Sequence, residues 1–387
     1  MNLKSIKKLP AVYKTLLLAR QISGRAWMRL CHRFCGVQRT AVMFSSFKGR
    51  AYSDSPKFIS EALHEIRPDV DIIWQLENPS DAPDYVRVVK PHTLEALKQL
   101  STVRCFVDNF NRPYYMLKFP DQLYVQTWHG DRPFKHILFD MNENIPFPDY
   151  RQMDLGLSGS DFGTKLYRTA FRYTGEVLQA GIPRNDALVN FDPAYAAQVR
   201  ERLNLKNMKA LLFAPTFRDA TAGKAQDAGF DLARALRTLE AATGEKWVGL
   251  VRAHDQNKGI TVGEDGAEIR DVTAYPEMSD LMLVSDLLIT DYSSAAGDFA
   301  LLNRPVILYQ PDLDEYIVSD RGLYFDPRKG PFPQAETEDR LIALLEKFDE
   351  LPADSEPVRR FFGITETGRS ALRAAEWISA RIPPEPR

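Results

Sequence analysis

Leu287-Leu288-Ile289-Thr290-Asp291-Tyr292-Ser293-Ser294-Ala295-Ala296-Gly297-Asp298-Phe299 carries the clearest mark of the chain's architecture. Its first four residues form a short apolar, branched run of the kind that makes a buried strand. Asp291 to Ser293 are turn formers, and a helical pattern follows over 294–302. Strand, polar turn and helix in succession form the repeating unit of an α/β sheet. The same grammar extends in both directions. Further strands are expected over 211–214, 247–252 and 306–309, with helices over 232–242 and 278–284. An earlier set has strands over 41–44, 71–76, 86–89, 105–108 and 123–127, with helices over 57–66 and 93–100. Residues 151–180 read as one more strand and helix, ending near Gly181-Ile182-Pro183. Helices over 338–348 and 368–381 close the chain.

Two doubly wound, Rossmann-like α/β domains facing a cleft account for this alternation. The expected division is a leader over 1–40, a first domain over 41–185, a second over 186–350 and a helical tail over 351–387. With 387 residues, 44% hydrophobic and 26% charged, the chain is long and apolar enough for two or three cores, which excludes disorder and fibrous repeats. Three cysteines, Cys31, Cys35 and Cys105, are too few for a disulfide framework and fit a reducing compartment. The longest apolar run of the leader, Leu16 to Ala19, is too short for a secretion signal or a membrane span, so a cytoplasmic location is expected.

Charge is distributed unevenly. The first 40 residues hold nine basic and no acidic side chains, whereas the remainder holds 41 basic and 52 acidic ones. Within the leader Arg25, Arg29 and Arg33 share one helical stripe, and Trp27, Leu30, Cys31 and Phe34 a roughly opposite one. A basic amphipathic helix with aromatic anchors suits an anionic membrane surface, and the alternative is packing on the acidic body of the chain. Nucleic acid is not an expected partner, because the body is acidic and carries no recognisable nucleic-acid-binding motif.

Ligands of doubly wound sheets bind beyond the carboxyl ends of the strands. Four polar clusters sit there: Gln126-Thr127-Trp128-His129-Gly130, Ala214-Pro215-Thr216-Phe217-Arg218-Asp219, Arg252-Ala253-His254-Asp255 and Thr290-Asp291-Tyr292-Ser293-Ser294. His129 is a possible general base, and Gly130 permits a tight turn behind it. Ser293 and Ser294 can cap a helix or, with its free amides, hold an anion. Gly181-Ile182-Pro183-Arg184-Asn185-Asp186 places a cation between the domains. Two imidazoles, several arginines and a hydroxyl-rich helix start suit a diphosphate and an attacking hydroxyl. No Gly-x-Gly-x-x-Gly fingerprint and no Walker-type loop is present, which disfavours a nicotinamide enzyme and an NTPase. Asp69-Val70-Asp71 and Asp312-Leu313-Asp314 fit a short metal pattern that arises easily by chance, and no metal role is assigned to either.

In this order the clusters resemble the CDP-glycerol glycerophosphotransferase family, the teichoic acid primases and polymerases and their relatives in capsule synthesis. The resemblance spans about residues 41–350. It rests on Thr127 to Gly130 with Pro133-Phe134-Lys135, on Gly181 to Asp186, on Phe213 to Asp219 and on Arg252-Ala253-His254. It continues from Asp271 through Asp291 and Asp298 to Arg321-Gly322. It implies a GT-B-like fold, a CDP-glycerol donor held mostly by the second domain, and a polyprenyl-diphosphate-linked glycan acceptor facing the first. It also implies peripheral attachment to the cytoplasmic face of a bacterial membrane. No cofactor is required, and Mg²⁺ is at most an aid. His129 then deprotonates the acceptor, while His254 and Arg252 stabilise the diphosphate and the leaving CMP. Ser293 and Ser294 hold phosphate oxygens. Arg184, Thr216 and Arg218 contact the donor or close the domains, and Thr290 belongs to the same donor cluster. Asp291 and Asp298 orient neighbours or meet the glycerol hydroxyls. The sequence departs from the family in Asp131-Arg132, where a Thr is common, and in Gly297, where an aromatic is usual. A ribitol or other polyol donor, a sugar transferase on the same fold, and a non-catalytic membrane scaffold are the alternatives.

Overall fold

The structure, a computed structural model, describes residues 10–112, 116–145, 147–216, 229–252, 267–319 and 322–384. A long helix α1 (Pro10–Cys35) leads into β1 (Gln38–Ser45), α2 (Asp54–Ile66), β2 (Asp71–Gln75) and β3 (Arg87–Val89). Then come α3 (Leu94–Thr102), β4 (Val103–Asp108), β5 (Leu123–Gln126), β6 (Leu155–Ser158), α4 (Asp161–Arg168) and β7 (Glu176–Gln179). These strands form a seven-stranded, wholly parallel sheet in the order β3-β2-β1-β4-β5-β6-β7.

The second set is α5 (Pro193–Arg202), β8 (Lys209–Phe213), α6 (Leu232–Thr243), β9 (Trp247–Val251), β10 (Ile269–Asp271) and α7 (Met278–Val284). It goes on through β11 (Leu287–Thr290), α8 (Ala295–Phe299), β12 (Val306–Tyr309), α9 (Leu313–Ser319), β13 (Gln334–Ala335) and α10 (Glu338–Leu345). Its sheet is also parallel, in the order β10-β9-β8-β11-β12-β13. Both faces of each sheet are covered by apolar cores, which is why the strands are continuous hydrophobic runs rather than alternating ones. The unexpected strands are edges of two to four residues, too short to show a period.

In each sheet the strand order reverses once, between β1 and β4 in the first and between β8 and β11 in the second. Such reversals leave a crevice at the carboxyl ends, where loops diverge to opposite faces. Ser45 pairs in register with Asp108 on one side and Gln75 on the other, so three strands of the first sheet end level. The loops after them share one rim.

The tail is not an appendage. α11 (Glu356–Phe362) puts Val358 and Phe362 into the core of the second domain. α12 (Ser370–Ser379) returns to the first and buries Ala374, Ala375 and Ile378 with Ile59 and Leu63 of α2. The chain therefore crosses between the domains a second time near Glu366.

The leader also differs from its expected form. Gln21, Gly24, Met28 and Cys31 form its buried stripe, and it packs on α3. Trp27 donates from Nε1 to the Leu94 carbonyl at 2.9 Å, and His32 stacks on Phe119 at 3.8 Å. The stripe expected to face a membrane is thus split: Cys31 and Trp27 turn inward, while Leu30 and Phe34 stay 51% and 79% exposed. Leu18 and Ile22 join them outside, beside exposed Arg29 and Arg33. No described helix is long and apolar enough to cross a membrane.

Candidate active site

His129 lies just past β5, on a turn held in an unfavourable conformation. Trp128 has φ of 53°, and Gln126, fully buried, fixes it by accepting from the Trp128 amide at 2.9 Å. Positive φ at a bulky residue is costly and persists only where surroundings impose it. The imidazole is oriented by Asn109, whose carbonyl lies 2.8 Å from Nδ1. A carbonyl only accepts, so Nδ1 carries the hydrogen and Nε2 of the neutral ring is the proton acceptor. Trp128 and Phe110 pack on the ring, with centroids at 4.4 and 5.1 Å.

Across the cleft, β11 delivers the second cluster. Thr290 is buried and donates to the Ala214 carbonyl at 2.6 Å, tying the ends of β8 and β11 together. Asp291 accepts from the Thr216 amide at 2.8 Å and from the Tyr292 amide at 2.6 Å, fixing both loops. Thr216 Oγ1 is buried without a hydrogen-bond partner among the described residues. Ser293 Oγ accepts from the Ala295 amide at 3.2 Å, so it caps the start of α8. Ser294 makes no such capping bond and stands at the cleft. A Cβ built on Gly130 would lie 2.9 Å from Ser294 Oγ, so the histidine turn and the serine turn touch. Arg252 follows β9 and donates its amide to the Phe213 carbonyl at 2.9 Å. His254 and Arg218 lie outside the described residues.

Two expected contact residues turn out to join the domains. Arg184 is buried and pairs with Asp54 at 3.0 Å and with Asp298 at 2.8 Å. Its guanidinium therefore lies at the junction of the domains, in keeping with domain closure, one of the two roles expected for it. Asp298 receives Arg184 on one oxygen and Arg132 and Asn185 on the other, so it orients these neighbours. Burial pushes the Asp298 carboxyl up, but Arg184 and Arg132 outweigh it and hold the group below its ordinary value.

Arg132, fully buried, is the centre of this junction and was visible in the sequence only as a departure. It also pairs with Asp131 at 3.3 Å and Glu366 at 3.2 Å. Asp131 in turn accepts from Ser160 Oγ at 2.6 Å and the Gly159 amide at 3.0 Å, at the end of β6. Just beyond, Phe134 is buried in the core of the second domain, and His136 donates its amide to the Gly322 carbonyl at 3.0 Å. Residues 127–136 thus begin on one domain and end on the other, with His129 at the crossing. Asp54 and Glu366 were missed because they come from distant segments and form no local motif, whereas Asp131 and Asn185 stand in recognisable stretches whose partners lie far off in the sequence.

Chemically, the site sets an oriented imidazole opposite hydroxyls and amides suited to phosphate oxygens. Relatives share this architecture. The wall teichoic acid polymerase TagF, solved as a variant soaked with CDPG, superposes with a TM-score of 0.82 at 29% identity, covering 99% of this chain and 98% of that one. A teichoic acid poly(glycerol phosphate) polymerase of Staphylococcus epidermidis is 33% identical over 333 residues, 81% of this chain and 46% of its own length. A teichoic acid glycerol-phosphate transferase of Staphylococcus aureus is 31% identical over 338 residues, 81% of this chain and 85% of its own length. The chain spans about half the length of the curated polymerases it matches first, 46% and 49%. Residues 27–378 match the CDP-Glycerol:Poly(glycerophosphate) glycerophosphotransferase family, and the chain belongs to it.

Proposed function

We propose that the chain transfers glycerol phosphate from CDP-glycerol to a hydroxyl of a polyprenyl-diphosphate-linked glycan, releasing CMP. The observation that carries the reading is the contact between the His129 turn and Ser294, with the Nε2 lone pair of His129 fixed by the Asn109 carbonyl. His129 Nε2 takes the acceptor proton as that oxygen attacks the β-phosphorus. The new O–P bond forms while the bond from that phosphorus to the bridging oxygen breaks, and the electron pair leaves with CMP. Ser293, Ser294 and Thr216 hold phosphate oxygens, and His254, Arg252 and Arg218 balance the charge of the departing nucleotide. No resident cofactor enters these steps, which turnover in EDTA and in added Mg²⁺ tests. The outward face of α1, with Leu18, Ile22, Leu30 and Phe34 beside Arg29 and Arg33, supports docking on an anionic membrane at the cytoplasmic face.

The test supplies CDP-glycerol, CDP-ribitol and UDP-sugars in turn with a lipid-linked acceptor and measures CMP or UDP. CMP from CDP-glycerol is expected. CMP from CDP-ribitol alone would reassign the polyol, and UDP would make the protein a sugar transferase. No release from folded, membrane-bound protein would leave a scaffold. His129→Ala should lower kcat by about 10²–10⁴-fold, with the CDP-glycerol KM little changed. Unchanged kcat would remove the base.

A further inference from the structure

His129 stands at the root of an arm that leaves the first domain and returns to it. Trp128 packs against the core of the first domain, and Leu138 and Phe139 are buried in that same core. Between these roots Arg132 pairs with Asp298, and Phe134 is buried in the core of the second domain. Both roots are strained: Trp128 has φ of 53° and Leu138 φ of 47°. A left-handed backbone at a bulky residue persists only where its surroundings over-determine it.

The tip of the arm is held by residues 322–325 of the second domain. Lys135 and Leu323 form an antiparallel bridge, flanked by the Tyr324 amide on the Phe134 carbonyl at 2.8 Å and the His136 amide on the Gly322 carbonyl at 3.0 Å. The rings of Phe134 and Phe325 lie 4.7 Å apart. Gly322 has φ of 75°, and a Cβ there would lie 3.1 Å from His136 Nδ1, so a glycine lets the two segments pair this closely.

Tyr324 reaches past this pairing to the returning root. Its hydroxyl accepts from the Ile137 amide at 3.3 Å and donates to Asp140 Oδ2 at 2.8 Å. Its ring meets His136 edge-on at 4.6 Å and Phe162 of α4 at 5.7 Å. Asp140 also accepts from Thr169 Oγ1 at 2.7 Å, and the Phe139 amide donates to the Ala170 carbonyl at 3.1 Å. Burial and the Asp140 carboxylate hold the Tyr324 phenol above its ordinary value, against the pull of the Ile137 amide, so the hydroxyl keeps its proton. One side chain of the second domain thus grips the first on both sides of the strained Leu138. At the other root, Gln126 and the Asn109 carbonyl set the direction of the imidazole. Its place against Ser294 depends on the arm that follows it directly, through Gly130, Arg132 and Phe134.

We propose that Tyr324 is a positioning residue for His129: by fixing the arm between the domains, it sets the imidazole against the donor cluster. The proposal rests on the transfer reading above and deepens it, adding a residue that touches neither substrate. A tyrosine that only stabilised the junction would change the melting temperature and leave the folded enzyme's chemistry alone.

The experiment compares full-length wild type, Tyr324→Phe, Asp140→Ala and Asp140→Asn, with CDP-glycerol and the lipid-linked acceptor. Tyr324→Phe keeps the ring and removes the hydroxyl. It should lower kcat roughly tenfold with the CDP-glycerol KM little changed, because a slight displacement of the base is costly while the donor cluster is untouched. Asp140→Ala breaks the same bond from the other side and should act alike. Asp140→Asn still accepts from the hydroxyl and should keep most of kcat. Nitrogen NMR of the histidine-labelled protein, with His129 assigned from His129→Gln, reads the ring without turnover. The His129 signals should shift in Tyr324→Phe and Asp140→Ala, together with those of His136, which touches Tyr324. Unchanged kcat in both variants overturns the proposal, as does a lower kcat with the His129 signals at their wild-type positions. A wild type that releases no CMP while the His129 signals still answer to Tyr324→Phe would sink the transfer reading alone. CMP release at the wild-type kcat in Tyr324→Phe and Asp140→Ala would sink this one alone.

Discussion

Arg132 and Gly297 fill one space between them. A Cβ at 297 would lie 2.9 Å from Arg132 Nε and 3.2 Å from Cδ. Those atoms belong to the middle of a side chain whose end is held by Asp131, Asp298 and Glu366, so it cannot swing aside. Gly297→Ala is expected to cost about 1–3 kcal/mol through overpacking. Arg132→Ala is expected to cost about 3–5 kcal/mol, because three buried carboxylates lose the cation they share. In the double variant the new methyl meets no guanidinium, so the losses should fall short of their sum. Denaturant unfolding of the four proteins measures the shortfall, and strictly additive losses would show that the two positions do not communicate. In the sequence these residues stand as two separate departures from a family pattern. That they are one contact depends on two chain segments meeting, which no local spacing encodes.

At the scale of elements, α1 shows how far periodicity carries. A basic amphipathic helix was legible, but which apolar residues face outward was not. The 3.6-residue pattern places Trp27, Leu30, Cys31 and Phe34 together, and packing on α3 then buries Cys31 and ties Trp27 to the Leu94 carbonyl. Phe34→Glu with Leu30→Glu should therefore cut sedimentation with anionic vesicles by at least several-fold and leave the melting temperature unchanged, since both side chains are exposed. A melting temperature that falls with vesicle binding intact would mean that this face packs on protein.

At the scale of the whole molecule, the returning chain brings Glu366 into the junction of the domains. Its oxygens accept from Arg132 at 3.2 Å, Asn185 at 2.9 Å and the Ile182 amide at 2.8 Å, with Asp131 nearby. Gly159 and Gly181 leave room for it: a Cβ there would lie 2.4 and 2.6 Å from its oxygens. Burial pushes the carboxyl up to about 7, against the pull of Arg132 and the hydrogen bonds. A folded-state value above the unfolded one means that this group favours folding most at low pH. Its contribution is full below the ordinary glutamate range and is lost as pH rises to about 7. Asp298, held below its ordinary value, acts in the opposite sense and loses its contribution only on stronger acidification. Glu366→Gln copies the protonated form. Relative to wild type, it should gain stability as pH rises from about 4.5 to about 7, by on the order of 1 kcal/mol per pH unit, and level off above. Parallel thermal-unfolding profiles for the two proteins would rule out this titration.

Two alternating α/β sets, the strand ends that carry His129 and Ser293-Ser294, and the family resemblance are readable from residue order alone. These are legible because strand, turn and helix have local periods, and because residues at a strand's carboxyl end reach the crevice whatever lies beyond. It takes the folded chain to bring Arg184 and Asp298 together at the junction of the domains, to add Arg132 and Glu366 to them, and to let Asn109 hold both His129 and the turn after β1. A buried charge takes its role from whatever surrounds it. Here those surroundings come from segments more than a hundred residues apart, such as Arg184 with Asp54 and Arg132 with Asp298.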